Sequence, residues 1–226
     1  MKPKNINVSK PLHSLRSSGL LIAASLLSTA SIAHAATESG GLYLDFFGGF
    51  SGLSNGDLIQ SGATSKGNYD GGTIVGMAIG KHLNKDWDIE AEWFYRSNEI
   101  SSVTGGPFNG VSEGDFASTN LMFNALYNFY TNEKIRLYCG LGIGLMQEAD
   151  IDMTIGGAEQ EFSENWVPAA QLILGASYPI NQNFSASAEV RYHYASSPDL
   201  EAANGGSRVK ADYSGYSALL GIRYSF

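Results

Sequence analysis

Regular alternation of apolar and polar residues is the feature that most constrains how this chain can fold. In residues 87–96 the odd positions from Trp87 to Tyr95 are apolar or aromatic, whereas the even positions are mostly charged. A period of two indicates a β-strand, because successive side chains of a strand point to opposite faces. The same alternation recurs in seven further segments, namely 42–50, 73–82, 117–129, 135–146, 167–178, 184–194 and 215–226. The sequence therefore predicts an all-β fold of eight strands.

The connections between these segments alternate in length. The short connections are residues 84–86, 131–134 and 180–183; the long ones are 52–71, 97–115, 150–164 and 196–212. Such alternation is typical of an antiparallel up-and-down meander with tight turns at one end and long loops at the other. In bacterial outer-membrane barrels the turns are periplasmic and the loops extracellular.

Two environments are compatible with this alternation: water, with the apolar face inside, or lipid, with the apolar face outside. The polar face is mostly Gly, Ala, Ser and Asn, which suits the narrow interior of an eight-stranded barrel better than a solvated surface. The apolar face carries one charge, Lys81, near a strand end where its amine can reach water. Segments of about ten residues suit tilted strands that cross a bilayer. The sequence thus favours a closed transmembrane β-barrel over a soluble one, since lipid tolerates no open sheet edge.

Residues 1–35 have the layout of a secretory signal peptide. Residues 1–18 carry four basic residues and no acidic one, residues 19–30 are apolar, and Ala33-His34-Ala35 resembles a cleavage site. The apolar stretch is too short for a membrane anchor. We expect cleavage after Ala35, which leaves residues 36–226 as the barrel domain and changes the formal net charge from −8 to −12. So acidic a chain is not expected to bind nucleic acid.

Nine charged residues lie on the face that is predicted to line the lumen. They are Asp45, Asp88, Glu90, Glu92 and Glu189, together with Arg96, Arg136, Arg191 and Arg223. Because an unpaired buried charge is costly, acids and arginines in a narrow lumen are expected to pair. Eight strands leave little free interior, so we predict a salt-bridged plug; a proton or ion path is the alternative.

Other motifs predict no catalytic residue, cofactor or metal site. Gly140, Gly142 and Gly144 recur with a spacing of two and fit the small face of a strand rather than a nucleotide loop. His193 with Ser196 and Ser197, and with Glu201 and Asp212 beyond, permits a hydrolase hypothesis. A lumen histidine followed by a turn explains these residues better. The acidic segment 150–164 is interpreted as a solvated loop, with divalent bridging to lipopolysaccharide as the alternative.

Several stretches resemble the opacity-type family of small outer-membrane β-barrels, which includes porin-like proteins and bacterial surface antigens. They are residues 90–98, 120–129, 138–144, 175–180 and 189–194. The resemblance implies a non-enzymatic, monomeric protein of a Gram-negative outer membrane, in contact with lipid and lipopolysaccharide. It also implies a structural or adhesive role, through loops that bind a host surface ligand. A small-solute channel and a lipid A-modifying hydrolase are the alternatives.

The C-terminal residues Tyr224 and Phe226, with Gly221, resemble the signal that the outer-membrane assembly machinery reads. Leu219 departs from the polar residue that is usual at the start of this signal. The resemblance therefore implies that the assembly machinery is a partner of this chain.

Overall fold

The computed structural model describes residues 41–226 except Glu133 and Asn204, and the predicted signal peptide lies outside these residues. Eleven strands are formed in the described part of the chain. They are β1 (Leu42–Leu53), β2 (Gly56–Gln60), β3 (Ala63–His82), β4 (Trp87–Thr104), β5 (Val111–Thr131), β6 (Arg136–Ile155), β7 (Ala158–Pro179), β8 (Phe184–Ala195), β9 (Asp199–Ala202), β10 (Arg208–Ala211) and β11 (Tyr213–Ser225).

Eight of these strands close into an antiparallel ring in the order β1-β11-β8-β7-β6-β5-β4-β3. Strand β1 closes the ring, because Tyr43 pairs with Ser225 of β11 on one side and with Gly80 of β3 on the other. The predicted fold class, an eight-stranded antiparallel meander barrel, is confirmed.

Among the described residues, no helix has the length and apolar character needed to cross a membrane.

A belt of exposed apolar side chains surrounds the ring. Its most exposed members include Ile143 (71% exposed) and Leu220 (72% exposed), which lie in predicted strand segments and on their predicted outer faces. Aromatic residues are exposed at both margins of the belt, for example Trp87 at the short-turn end and Tyr216 at the other. We call the outward apolar surface of the eight predicted segments the apolar belt. It matches the lipid-facing band of a transmembrane barrel.

The four long connections are largely strand rather than loop, which corrects the prediction for residues 52–71, 97–115, 150–164 and 196–212. Strands β3 to β7 continue well beyond the apolar belt, and β2, β9 and β10 lie wholly within the predicted loops. The β6–β7 hairpin, for instance, turns only at Gly156 and Gly157, whose φ values are 57° and 84°. Two consecutive residues with positive φ form the tight turn that suits a twisted hairpin.

Three short strands close the sheet a second time beyond the belt. Strand β9 pairs with β7 and β10, and β2 pairs with β10 and β3, so that they bridge β7 to β3 above the ends of β8, β11 and β1. We call this part the cap. It consists of β2, β9 and β10 with residues 63–69, 97–104, 111–116, 148–155 and 158–165.

The interior of the cap is apolar, which reverses the polarity of the belt region. Its buried side chains include those of Leu58, Phe116, Met153, Phe162 and Val209, each at most 1% exposed. The reversal in β6 occurs at a β-bulge: Thr119 pairs with Glu148 and Asn120 with Met146, which leaves Gln147 as an extra residue. One inserted residue transfers all following side chains to the opposite face.

Candidate functional site: the lumen and the cap

The nine charged residues that the sequence places in the lumen lie on the inner face of the ring. Seven of them are at most 6% exposed. Of the other two, the side chain of Glu189 is 7% exposed and that of Arg136, near the short turns, is 33% exposed. Eight of the nine take part in ion pairs between lumen residues, and Arg96 does not.

Arg223 joins two carboxylates from different strands. One of its nitrogens lies 2.8 Å from Asp45 of β1 and 3.0 Å from Glu90 of β4. Tyr43 donates a hydrogen bond of 2.8 Å to Glu90, and the Arg223 guanidinium lies 3.9 Å from the centroid of the Tyr43 ring. The cation, both acids and the phenol thus form one buried network across the barrel.

Arg191 forms a second network one step further from the short turns. It lies 2.7 Å from Glu92 and 2.6 Å from Glu189. Gln171 donates to Glu92 at 3.1 Å, and Tyr138 donates to Glu189 at 2.6 Å. Each carboxylate therefore has neutral donors as well as its arginine, which is the condition under which buried ion pairs are tolerated.

Asp88 forms the third network, at the short-turn end of the lumen. Its carboxylate lies 3.3 Å from Arg136 and 2.6 Å from His82, and Asn128 donates to it at 3.4 Å. Sequence reasoning selected the charged residues but not Tyr43, Tyr138, Gln171, His82 or Asn128. Each of these five residues lies at a position whose side chain the alternation predicts to point inward, and this pattern could have identified them.

Glycines on the lumen face leave room for the aromatic rings of these networks. A Cβ atom at Gly80 would overlap the ring of Tyr43, and one at Gly175 would overlap the ring of Tyr138. Small residues on one strand thus accommodate a large residue on the neighbouring strand, since Gly80 pairs with Tyr43 and Gly175 with Tyr138.

A row of four carboxylates crosses the outer face of the cap, outside the apolar belt. Glu99 pairs with Asp115, Asp115 with Asp152, and Asp152 with Glu161. The row lines a groove of about 1440 Å³ together with Glu113 and Glu159, and no lysine or arginine lies among the lining residues. Among the described residues, no cluster of His, Cys, Asp or Glu has the arrangement of a metal site.

Burial and mutual repulsion raise the pKa of carboxyl groups in this part of the cap. Partial burial raises the pKa of Asp150 to about 7, with further contributions from Asp152, Glu161 and Glu148. Desolvation also raises the pKa values of Asp115 and Asp152 above their ordinary value of 3.8. The predicted loop 150–164 is therefore a hairpin that concentrates negative charge.

The residues of the hydrolase hypothesis are not assembled as a catalytic group. His193 is fully buried, and neither ring nitrogen has a hydrogen-bond partner among the described residues. Its ring packs edge-on against Phe94 and Tyr213, at centroid distances of 5.5 and 5.8 Å. Ser197 instead forms a hydrogen bond of 3.4 Å with Asp212. A nucleophile needs a base within hydrogen-bond reach, and this geometry supplies none to Ser197 from His193.

The C-terminal residues of the assembly prediction lie at the short-turn end of β11. The rings of Tyr224 and Phe226 pack edge-on at 5.0 Å, and Phe226 donates a backbone hydrogen bond to Leu42. Gly221 faces the lumen, where an added Cβ would lie 2.5 Å from Ser187 and 2.9 Å from Asp45. Any side chain at position 221 would therefore clash with these lumen residues, and this packing favours glycine independently of the assembly signal.

A closed antiparallel ring with an apolar outer belt and a polar interior defines a transmembrane β-barrel. The family model described as "Outer membrane protein beta-barrel domain" matches residues 20–226. The chain belongs to this family, and its place is the outer membrane of the Gram-negative type. No curated protein shows significant sequence similarity to the chain.

Solved structures with the same fold include two outer-membrane proteins. Neisserial surface protein A is 18% identical, with a TM-score of 0.51; the match covers 82% of this chain and 97% of that one. The outer-membrane protein OprG from Pseudomonas aeruginosa is 19% identical, with a TM-score of 0.56 and coverage of 83% and 96%. At these identities the likeness shows the fold alone.

Proposed function

We propose that this chain is a plugged surface barrel that acts through its cap and does not conduct solutes. The observation that carries the proposal is the double obstruction of the lumen. Three ion-pair networks occupy the belt region, and the apolar core of the cap fills the outer end. A solute on this axis would have to break buried ion pairs and then displace close-packed apolar side chains, and both steps are costly.

Planar-bilayer recording of the purified barrel tests this proposal against the small-solute channel. The expected record shows no stable conductance steps at moderate voltage. Reproducible steps would contradict the plug and favour the channel, provided that a preparation of the unfolded chain gives none.

The groove of the cap offers a host or envelope ligand a surface of one sign. Its charged lining residues are Asp70, Glu99, Glu113, Asp115, Asp152, Glu159 and Glu161, and no lysine or arginine lies among the lining residues. A positively charged partner surface complements this face, and electrostatic attraction would speed its approach. The adhesive role that we propose is therefore toward a cationic ligand.

Binding of polylysine to liposomes that contain the barrel tests whether the partner surface is positively charged. We expect binding that weakens with salt and falls when Asp115, Asp152 and Glu161 are together replaced by their amides. Asp57→Asn, which removes a carboxylate of β2 outside the groove, is the matched control and should bind nearly as the wild type does. Preferential binding of a polyanion such as heparin would contradict the proposal.

We further propose a non-catalytic role and an assembly signal at the C-terminus. Unchanged lipid A on mass spectrometry after His193→Ala supports the first; a changed acylation pattern contradicts it. For the second, removal of Phe226 should lower the amount of protein in the outer membrane, whereas removal of the exposed Ile59 side chain by Ile59→Ala should not.

A further inference from the structure

Arg96 differs from the other lumen arginines because none of the described carboxylates forms an ion pair with it. It is 1% exposed, and its single hydrogen bond runs 2.7 Å from Nη2 to the hydroxyl of Ser217. Nε and Nη1 have no acceptor among the described residues. Arginine keeps its proton in proteins, so the positive charge persists in this buried position.

The lumen carboxylates are already engaged elsewhere. Each of the five lies within 3.3 Å of another arginine: Asp45 and Glu90 of Arg223, Glu92 and Glu189 of Arg191, and Asp88 of Arg136. A buried cation without a counter-charge costs several kcal/mol more than a paired one. The described residues therefore supply no counter-charge to Arg96.

Other buried polar groups without a partner lie around Arg96. Arg96 pairs in register with Ser118, whose hydroxyl lies 3.1 Å from the Asn120 amide and 2.8 Å from the Tyr213 hydroxyl. The Tyr213 ring packs against His193, which has two unpartnered nitrogens. On the far wall, Nη1 of Arg96 lies 2.9 Å from where a Cβ of Gly215 would be, and Gly215 pairs with His193. The glycine thus gives the guanidinium space beside the histidine.

We infer that the lumen holds a small monovalent anion of the halide class against Arg96 and His193. The free donors are the Nε–H and both Nη1–H groups of Arg96 and one N–H of His193. They outnumber the free acceptors, which are Asn120 Oδ1 and the second imidazole nitrogen. A water molecule satisfies donors but brings no charge, whereas an anion does both. Ile74 pairs in register with Arg96, and the Phe94 and Tyr213 rings pack on His193. These buried apolar and aromatic side chains favour a weakly hydrated ion over sulfate or phosphate.

Bromide soaking of crystals of the detergent-solubilised barrel, followed by anomalous diffraction, locates the ion directly. A bromide peak beside the Arg96 guanidinium supports the inference. Water density there without an anomalous peak overturns it, as does bromide bound in the lumen only elsewhere. This experiment uses the wild-type chain, so it does not depend on how well any variant folds.

Thermal unfolding in detergent gives a second measurement, in sodium chloride and in sodium gluconate at equal ionic strength. Chloride at about ten times its Kd should raise Tm by about 3 °C, because it binds only the folded barrel. Arg96→Gln should abolish this difference. The control Arg208→Gln, at an exposed arginine of the cap, should retain it. Equal wild-type Tm values in the two salts, or a difference that survives Arg96→Gln, would overturn the inference.

Discussion

Ile143 and Ile151 lie eight residues apart on the same strand and face opposite sides of the barrel wall. Ile143 is 71% exposed in the apolar belt, whereas Ile151 is fully buried inside the cap. Residues an even number apart on a regular strand share a face. The extra residue Gln147 between them changes the face on which the following side chains lie. The apolar side chains of β6 therefore face outward in the belt and inward in the cap.

Deletion of Gln147 should therefore unfold the cap. The deletion would turn Ile151 and Met153 toward water and Asp150 and Asp152 toward the apolar interior. We expect protease to cleave the cap while the belt region remains protected, as measured by limited proteolysis in detergent. Gln147→Ala keeps the bulge and should resist protease like the wild type; equal resistance of the deletion variant would contradict this account.

The stability of the cap should increase on acidification from pH 8 to pH 5. Asp150 has a folded pKa of about 7 against an ordinary value of 3.8, so the folded chain holds its proton more tightly than the unfolded chain. Stability that is present at low pH is lost as pH rises through 7. Solvent screening of this half-buried group keeps the effect to about 1 kcal/mol. Asp150→Asn should raise Tm at pH 8 and flatten the pH profile, and Asp57→Asn should do neither. A wild-type Tm that rises between pH 5 and pH 8 would be inconsistent with this assignment.

Gly175→Ala should destabilise the barrel by about 1–3 kcal/mol, the usual cost of overpacking. The added methyl group would overlap the Tyr138 ring and displace it from Glu189. Urea unfolding in lipid vesicles measures the change. Gly71→Ala is the matched control, because a Cβ there meets no atom within 4 Å, and its effect should stay within about 0.5 kcal/mol. Similar losses of unfolding free energy for both variants would show that the overlap with Tyr138 does not cause the destabilisation.

Arg223→Ala should cost about 3–5 kcal/mol, because it leaves Asp45 and Glu90 buried without their cation. Arg208→Ala removes an exposed ion pair with Glu201 and should cost at most about 1 kcal/mol. Urea unfolding compares the two variants, and planar-bilayer recording should find no new conductance in either. New conductance steps in Arg223→Ala would show that the ion pairs of Arg223 with Asp45 and Glu90 block a conducting path through the lumen.

The belt strands could be predicted because lipid requires one apolar face over the whole span, so residues such as Leu141 and Ile143 fall in a single phase. The cap could not be predicted in the same way, because the bulge at Gln147 turns the odd positions of β6 inward without a break in the apolar phase, and a bulge of this kind leaves no mark on the alternation. Residues 150–155 nevertheless alternate as Asp-Ile-Asp-Met-Thr-Ile, and Gly156-Gly157 is a hairpin signal. Together they indicate strand rather than loop.

The alternation of the sequence predicts that the lumen charges point inward, but it does not predict which of these charges form ion pairs. Whether Arg223 of β11 meets Glu90 of β4 depends on the stagger of strands across the lumen, which local alternation does not encode. The hydrogen bonds of Tyr43 and Tyr138 to lumen carboxylates could not be predicted, because tyrosine suits either a lipid margin or a polar interior.

The second closure of the sheet restricts where residues can be inserted into the described part of the cap. Strands in the cap are held by neighbours in the ladder, so a residue inserted within one of them would shift a register. The hairpin tips at 61–62, 105–110 and 156–157 lie outside this ladder. Peptide epitopes displayed on this protein therefore belong at these tips.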